Sequence, residues 1–318
     1  MLLSRAVVFE APHRLSVRSL PSPAPRAGEV RVQIERSGIS TGTERLLFSG
    51  EMPPFPGLGY PLVPGYESVG VVVAVGDDVL SLAIGDRVFV PGGGQFEGAR
   101  SLFGGTASAL TVQASRAHKI PGTVGDEGVL LALLATAHHA VVSDGVPRGD
   151  LIIGHGVLGR LAARLLASLG RDVVVWEHDE RRLGGARGYR VMKPSDDPRR
   201  DYGCIIDISG DSGIMDVAIA RLAKGGELVL AGFYKAPLSF SFPPAFMREI
   251  RMRVAAEWTE TDLHAAITLL ERGAIELSDL VTHRFSDVEA ARAYDTAFGD
   301  VTCLKAVIAW DHAAGATS

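Results

Sequence analysis

The sequence predicts an α/β protein: a strand-rich unit first, then a doubly wound parallel sheet. Three observations predict it. Short Val/Ile-rich runs separated by Gly/Pro turns fill residues 1–121, with no long helical period among them. From KIPGTVGDEG onward, strand-like and helix-like segments alternate, the pattern of parallel strands covered on both faces. The length, 318 residues, suits two domains of about 150 residues each.

Taken in order, residues 6–9, 29–35, 68–75 and 86–90 read as short strands, divided by PSPAPRAG, VPGYE and VPGGG. Strands at this spacing suggest a small β-barrel-like unit. LIIGHG then reads as an apolar strand and LGRLAARLLASLG as a helix with a Gly end. VVVWE and CIIDISG read as strands, SGIMDVAIARLAKGG as a helix ending at Gly-Gly, and ELVLAGF as another strand. In LSFSFPPAFM, Phe240 and Phe242 fall at period two, which fits an edge or core-facing strand. TDLHAAITLLERG carries a Thr/Asp helix start and a Gly stop. The tail adds the strand VTHRFS, the helix DVEAARAYDTAF and the strand LKAVIAW.

Apolar residues make up 47% of the chain and charged residues 22%, enough for a core in each unit. Acidic residues outnumber basic ones, 37 to 32, for a formal net charge of −5. A mildly acidic chain is poorly suited to nucleic acid or an anionic membrane. Two cysteines, Cys204 and Cys303, exclude a disulfide framework, a four-cysteine zinc lobe and a four-thiolate iron–sulfur cluster. Arg5 and Glu10 come too early for a secretory apolar region. No run approaches the roughly 18 apolar residues of a membrane span. We therefore expect a cytoplasmic protein with a small-molecule substrate and no nucleic-acid partner.

The strongest local signal is Gly154-His155-Gly156-Val157-Leu158-Gly159, which directly follows the strand LII and opens a helix. The first glycine makes the tight turn, the second lets the backbone approach a pyrophosphate, and the third lets the helix pack on the strand. A helix N-terminus presents free N–H groups and partial positive charge to phosphates. The next strand ends at Glu177, where a carboxylate can accept the ribose hydroxyls of NAD. Arg181 and Arg182 follow closely and could instead hold the 2′-phosphate of NADP; the acid at the strand end favours NAD. Ser209, closing the CIIDISG segment, joins the expected cofactor-binding set.

A strand-rich unit, a Rossmann unit and a short return tail together resemble the medium-chain dehydrogenase/reductase superfamily. The marks are SGISTGTE, VPGYESVGVV, GDRV, LAKGGELVLAGF and VTHRFSDVEAARAYDTAF. The resemblance implies a GroES-like catalytic domain of residues 1–121 and 274–318 and a Rossmann domain of residues 122–273. In zinc-dependent members the positions of Ser40 and Tyr66 carry Cys and His ligands. Here both are replaced while Glu67 is kept. Hydroxyls are poor zinc ligands, so no metal is expected. Longer stretches, RSGISTGTERLLFSGEMPPFPGLGYPLVPGYESVG and LAGFYKAPLSFSFPPAFMREIRMRVAAEW among them, look like the bacteriochlorophyllide a dehydrogenase family of bacteriochlorophyll biosynthesis. That resemblance implies NAD-linked oxidation of the 3-(1-hydroxyethyl) group of a magnesium bacteriochlorin to 3-acetyl. It leaves a homodimer and peripheral contact with the photosynthetic membrane open.

Without zinc, a positioned side chain must take the carbinol proton. His138 and His139 lie in a segment that the superfamily places on a helix bordering the cleft, and imidazole suits a general base. Adjacent helical residues point about 100° apart, so at most one is expected to face substrate. Tyr66 and Ser40, at the former ligand positions, are candidates to relay the proton or polarise the oxygen, with Glu67 to orient them. Each has a plainer reading, as a packed Tyr or a structural carboxylate. Thr41, Thr43 and Glu44 could hold ribose or substrate, or simply make a turn. The 52–61 loop is either a rigid apolar wall or a stiff connection. The scattered His13, His118, His155, His178, His264, His283 and His312 show no paired ligand spacing. Two other readings stay open: a zinc-free NADPH-dependent quinone or enoyl reductase, and a dinucleotide-binding protein without turnover.

Overall fold

In the computed structural model, which describes residues 1–54 and 56–312, the long strand Glu29–Ile39 organises the first of two units. One edge pairs antiparallel with Ser68–Val75. The other edge is shared: its N-terminal half pairs with Ala109–Gln113 and its C-terminal half with Lys305–Ala309. Val281–Ser286 adds in parallel beside Lys305–Ala309, and Arg87–Val90 extends the sheet beyond Ser68–Val75. The tail thus joins the sheet of the first unit. The buried face is Val/Ile/Leu-rich: Val30, Val32, Ile34, Val72, Val88, Leu110 and Ile308 form one core. A hairpin, Leu2–Ala11 with Arg14–Ser22, turns at His13, whose φ of 59° is left-handed.

The first unit comprises Met1–Ala132 and the residues from Leu277 onward, and the second is Leu133–Glu276. The first division falls later than residue 121 because the 3₁₀ turn Asp126–Leu130 packs on Glu29–Ile39 and Ser68–Val75. The short helix Thr43–Ser49, ended by the left-handed Gly50, lies in a segment with no long helical period.

The second unit is a six-stranded sheet of parallel strands. From edge to edge these are Arg190–Met192, Val174–Trp176, Leu151–Ile153, Tyr202–Asp207, Leu222–Leu230 and Arg251–Val254. The chain steps outward twice on one side of Leu151–Ile153, then returns to build the other side. That reversal opens a crevice at the carboxyl ends of Leu151–Ile153 and Tyr202–Asp207, where doubly wound sheets bind ligands. Leu151, Ile153, Val174, Trp176, Ile205 and Leu228 form this unit's core. Two segments differ from the sequence expectation. The helix Met215–Arg221 stops short, and LAKGG belongs to the strand Leu222–Leu230, where the register shift between Tyr202 and Cys204 absorbs the extra residues. Phe242–Arg248 is a helix, not a strand: its prolines sit in the first turn, where a missing N–H costs nothing. The edge strand is Arg251–Val254 instead. Among the described residues, no helix is long and apolar enough to cross a membrane.

Candidate functional site

The loop Gly154–Gly159 makes a tight turn into a closely packed helix. Gly154 adopts φ 106°, and a Cβ there would stand 3.2 Å from the Cα and N of Ser209. The loop is thereby seated against Ser209 at the sheet's reversal point. A Cβ on Gly159 would lie 1.9 Å from the Gly154 carbonyl oxygen, so only glycine lets the helix Val157–Ser168 pack this closely. A Cβ on Gly156 would meet nothing within 4 Å. Its face is open to an approaching pyrophosphate. The helix begins at Val157 with Leu158 in its first turn, and its free N–H groups have no side-chain cap.

Glu177 ends the strand Val174–Trp176 and is nearly buried. One oxygen accepts the N–H of His155 at 3.2 Å, and the other accepts those of His178 and Asp179 at 2.8 and 2.9 Å. The carboxylate thus ties the glycine loop to the turn after the strand. His155 is fully buried. Its Nδ1 lies 2.6 Å from the Arg182 carbonyl, which can only accept, so Nδ1 carries the hydrogen and Nε2 accepts from the Tyr189 hydroxyl at 2.9 Å. Burial pushes its pKa down to about 4, leaving it neutral. Arg160 spans the same turn, donating to the carbonyls of His155, Arg182 and Gly184. Arg181 is gripped by Asp179 through two bonds of 2.9 and 2.7 Å. Ser209 donates its hydroxyl to Asp207 at 2.7 Å, and Tyr234 donates to the other oxygen of that buried carboxylate.

His138 and His139 end the helix Leu131–Val141. Their side chains do not diverge as helical geometry alone suggests. Both converge on Asp262, Nδ1 of His138 at 2.6 Å from Oδ1 and Nδ1 of His139 at 2.9 Å from Oδ2. The cause is Asp262's position, third in the helix Glu260–Glu271, where it also closes a capping box with Thr259. Burial pushes the Asp262 carboxyl up, but the bonds from Thr259 and both imidazoles outweigh it and hold it at about 2. An ionised carboxylate only accepts, so each Nδ1 donates.

In the first unit, Ser40 Oγ and Tyr66 Oη lie 2.6 Å apart, with Thr43 Oγ1 3.3 Å from the same phenol. Burial raises the Tyr66 pKa, so the phenol stays protonated at neutral pH. Glu67 is 0% exposed and forms an ion pair with the 1% exposed Lys305, 2.5 Å from Nζ. Lys305 also donates to the Ile39 carbonyl. Glu44, also fully buried, accepts the Ser40 N–H at 2.9 Å and the Tyr294 hydroxyl at 2.5 Å. Hydroxyls bonded to each other and a carboxylate taken by lysine are not a zinc donor set. Among the described residues, no group of three His, Cys, Asp or Glu side chains is placed to hold a metal.

Asp262, Lys305 and Tyr294 were not legible beforehand. Each completes a cluster from more than 100 residues away, so no local spacing signals it. Of the 52–61 loop, Phe55 lies outside the described residues; Tyr60 donates its hydroxyl to the Leu47 carbonyl.

A family model, the alcohol dehydrogenase GroES-like domain, matches residues 26–122. The chain is 51% identical over 314 residues to the 2-desacetyl-2-hydroxyethyl bacteriochlorophyllide A dehydrogenase of Rhodobacter capsulatus, covering 98% of this chain and 99% of that protein. Among solved structures, it is similar to a short chain alcohol dehydrogenase of E. coli CFT073 complexed with NADH, with a TM-score of 0.83 and 25% identity over 96% of this chain and 99% of that one. It also shares the fold of a dehydrogenase from Sinorhizobium meliloti 1021 bound to NADP, with a TM-score of 0.82 and 24% identity over 97% of this chain and 100% of that one.

Proposed function

The chain belongs to the family of the 2-desacetyl-2-hydroxyethyl bacteriochlorophyllide A dehydrogenases, and from that premise we propose that it oxidises the 3-(1-hydroxyethyl) group of a bacteriochlorophyllide to 3-acetyl with NAD. The observation that carries this reading is identity of 51% running through both units rather than the cofactor loop alone. The residues present fit a nicotinamide dinucleotide. Gly154, Gly156 and the first turn at Val157 and Leu158 would take the pyrophosphate, Gly159 keeps the helix close, and Ser209 borders the loop. Glu177 would face the adenosine ribose. When bound, the nicotinamide supplies the hydride acceptor.

NAD is preferred over NADP because Glu177 would repel a 2′-phosphate and Arg181 is already held by Asp179. The carbinol proton passes to Nε2 of His138 or His139, whose Nδ1–H bonds to Asp262 set each ring as an acceptor. Ser40 and Tyr66 are the candidates to hydrogen-bond the substrate oxygen. Glu67 acts behind them as a structural partner of Lys305. The donor set does not fit zinc, and no step is assigned to a metal. The strand Arg251–Val254, whose outer edge has no partner strand among the described residues, lies beside exposed Phe242, Phe246 and Met247 and supports a homodimer through this face. Light scattering at the eluting peak distinguishes dimer from monomer.

The test is an absorbance assay with purified protein, NAD and a 3-(1-hydroxyethyl) bacteriochlorophyllide, with NADP and chelator arms. A shift of the long-wavelength pigment band with matching NADH formation, unchanged by chelator, supports the reading. NADH binding without any pigment change overturns it. D262N and the two single His→Ala variants then test the base. We expect kcat to fall by about 10²–10⁴-fold for the histidine that accepts the proton.

A further inference from the structure

Two fully buried carboxylates, Glu44 and Glu67, lie near a single buried cation, Lys305, beneath the hydroxyl pair of Ser40 and Tyr66. The lysine sits on Glu67, 2.5 Å from Oε2. The second oxygen of Glu67 has no hydrogen-bond partner. Among the described residues Glu44 forms no ion pair; its anchors are the Ser40 N–H and the Tyr294 hydroxyl. Two like charges sharing one counter-charge in a dry site cannot both ionise at little cost, so one carboxyl retains a proton. The geometry names Glu44 as that carboxyl, since Lys305 is committed to Glu67.

We propose that Glu44 is a positioning residue for the reaction: it fixes the backbone of Ser40, and its ionisation switches the field felt by the Ser40–Tyr66 hydroxyls that hydrogen-bond the substrate oxygen. This rests on the role proposed above for those hydroxyls. Around Glu44 the titratable groups are Tyr294 from the helix Ala290–Gly299, Glu67 just before the strand Ser68–Val75, Lys305 at the start of Lys305–Ala309, and Tyr66 beside Ser40. Burial, and secondarily the Glu67 charge, raise the Glu44 carboxyl to about 7 against the bonds from Ser40 and Tyr294. The ionised form adds negative potential around the alcohol, which favours departure of the hydride by stabilising the positive charge that develops on the carbinol carbon; the protonated form does not.

The test pairs a spectroscopic and a kinetic readout on the full chain. Infrared difference titration of the cofactor-free protein should show a protonated carboxyl band that disappears as pH rises through about 7. The band should be lost in E44Q, and in E67Q, which removes the like charge and releases Lys305, its midpoint should move to lower pH. The Tyr294 hydroxyl stabilises the charged form, so Y294F should move the midpoint up by on the order of one pH unit. The acid limb of kcat/KM should move with it, and E44Q should lose that limb with a rate at high pH about tenfold down. A band that titrates unchanged in E44Q overturns the proposal, as does an active wild type whose pH profile E44Q leaves intact. Failure of the functional reading looks different: wild type inactive at every pH while the Glu44 band still titrates.

Discussion

The two buried clusters of this chain follow opposite electrostatic plans. Around the glycine loop Gly154–Gly159, His155 is held uncharged between a carbonyl and a phenol, Glu177 accepts three backbone N–H groups, and Arg160 spans three carbonyls. Around Ser40 and Tyr66, buried carboxylates outnumber the buried lysine. The first arrangement makes a rigid cradle whose charge does not change near neutral pH. The second keeps a proton that neutral pH can remove. A cofactor loop needs fixed geometry, whereas a site that moves a proton gains from a nearby group whose charge responds.

The comparison breaks most sharply at Lys305. Replacing it by Met leaves Glu67 buried without a counter-charge, and we expect a loss of about 3–5 kcal/mol in denaturant unfolding. A loss under about 1 kcal/mol would mean that the pair contributes little. The pH dependence of stability separates the clusters next. Glu44 has a folded pKa above its ordinary 4.5, so the folded state binds the extra proton and stability falls as pH rises from about 4.5 through 7. His155 has a folded pKa below its ordinary 6.5, so its contribution is lost as pH falls from about 6.5 to 4 and grows as pH rises. The two slopes oppose each other. E44Q should unmask a stability that climbs by about 3 kcal/mol between pH 4 and 6.5, and a flat profile in E44Q would contradict the neutral buried His155.

Within the cradle, two glycines should behave differently. G159A forces a methyl against the Gly154 carbonyl and should cost about 1–3 kcal/mol, read as a lower melting temperature. G156A meets open space and should melt like wild type, yet bind NADH at least about tenfold more weakly, because its methyl occupies the pyrophosphate's approach. Equal melting losses in both would undo this distinction. The smallest effect is at Asp179. Its grip on Arg181 is an exposed, solvent-screened pair, so D179N should raise NADPH affinity relative to NADH by only about two- to fivefold in fluorescence titrations.

The cradle was legible in the sequence because its parts are local: three glycines at fixed spacing and an acid one strand later. The doubly wound order followed from the alternation of segments. The candidate catalytic clusters were only half legible. Ser40, Tyr66, Glu67, His138 and His139 could be named, but not their partners. Asp262 reaches the histidines across 124 and 123 residues, Lys305 reaches Glu67 across 238, and Tyr294 reaches Glu44 across 250. Those pairings are set by sheet register and helix docking. The same applies to the PPAFM segment, where period two in the phenylalanines suggested a strand while proline chemistry at a helix start decided the outcome.

The most direct test of the central claim follows the hydride itself. A bacteriochlorophyllide carrying deuterium on the carbinol carbon of its 3-(1-hydroxyethyl) group is incubated with the protein and NAD, and the reduced cofactor is analysed by mass spectrometry and NMR. The account predicts one deuterium in each NADH, on the nicotinamide ring, in step with the appearance of the 3-acetyl pigment. Acetyl pigment formed without deuterium in the cofactor would contradict it.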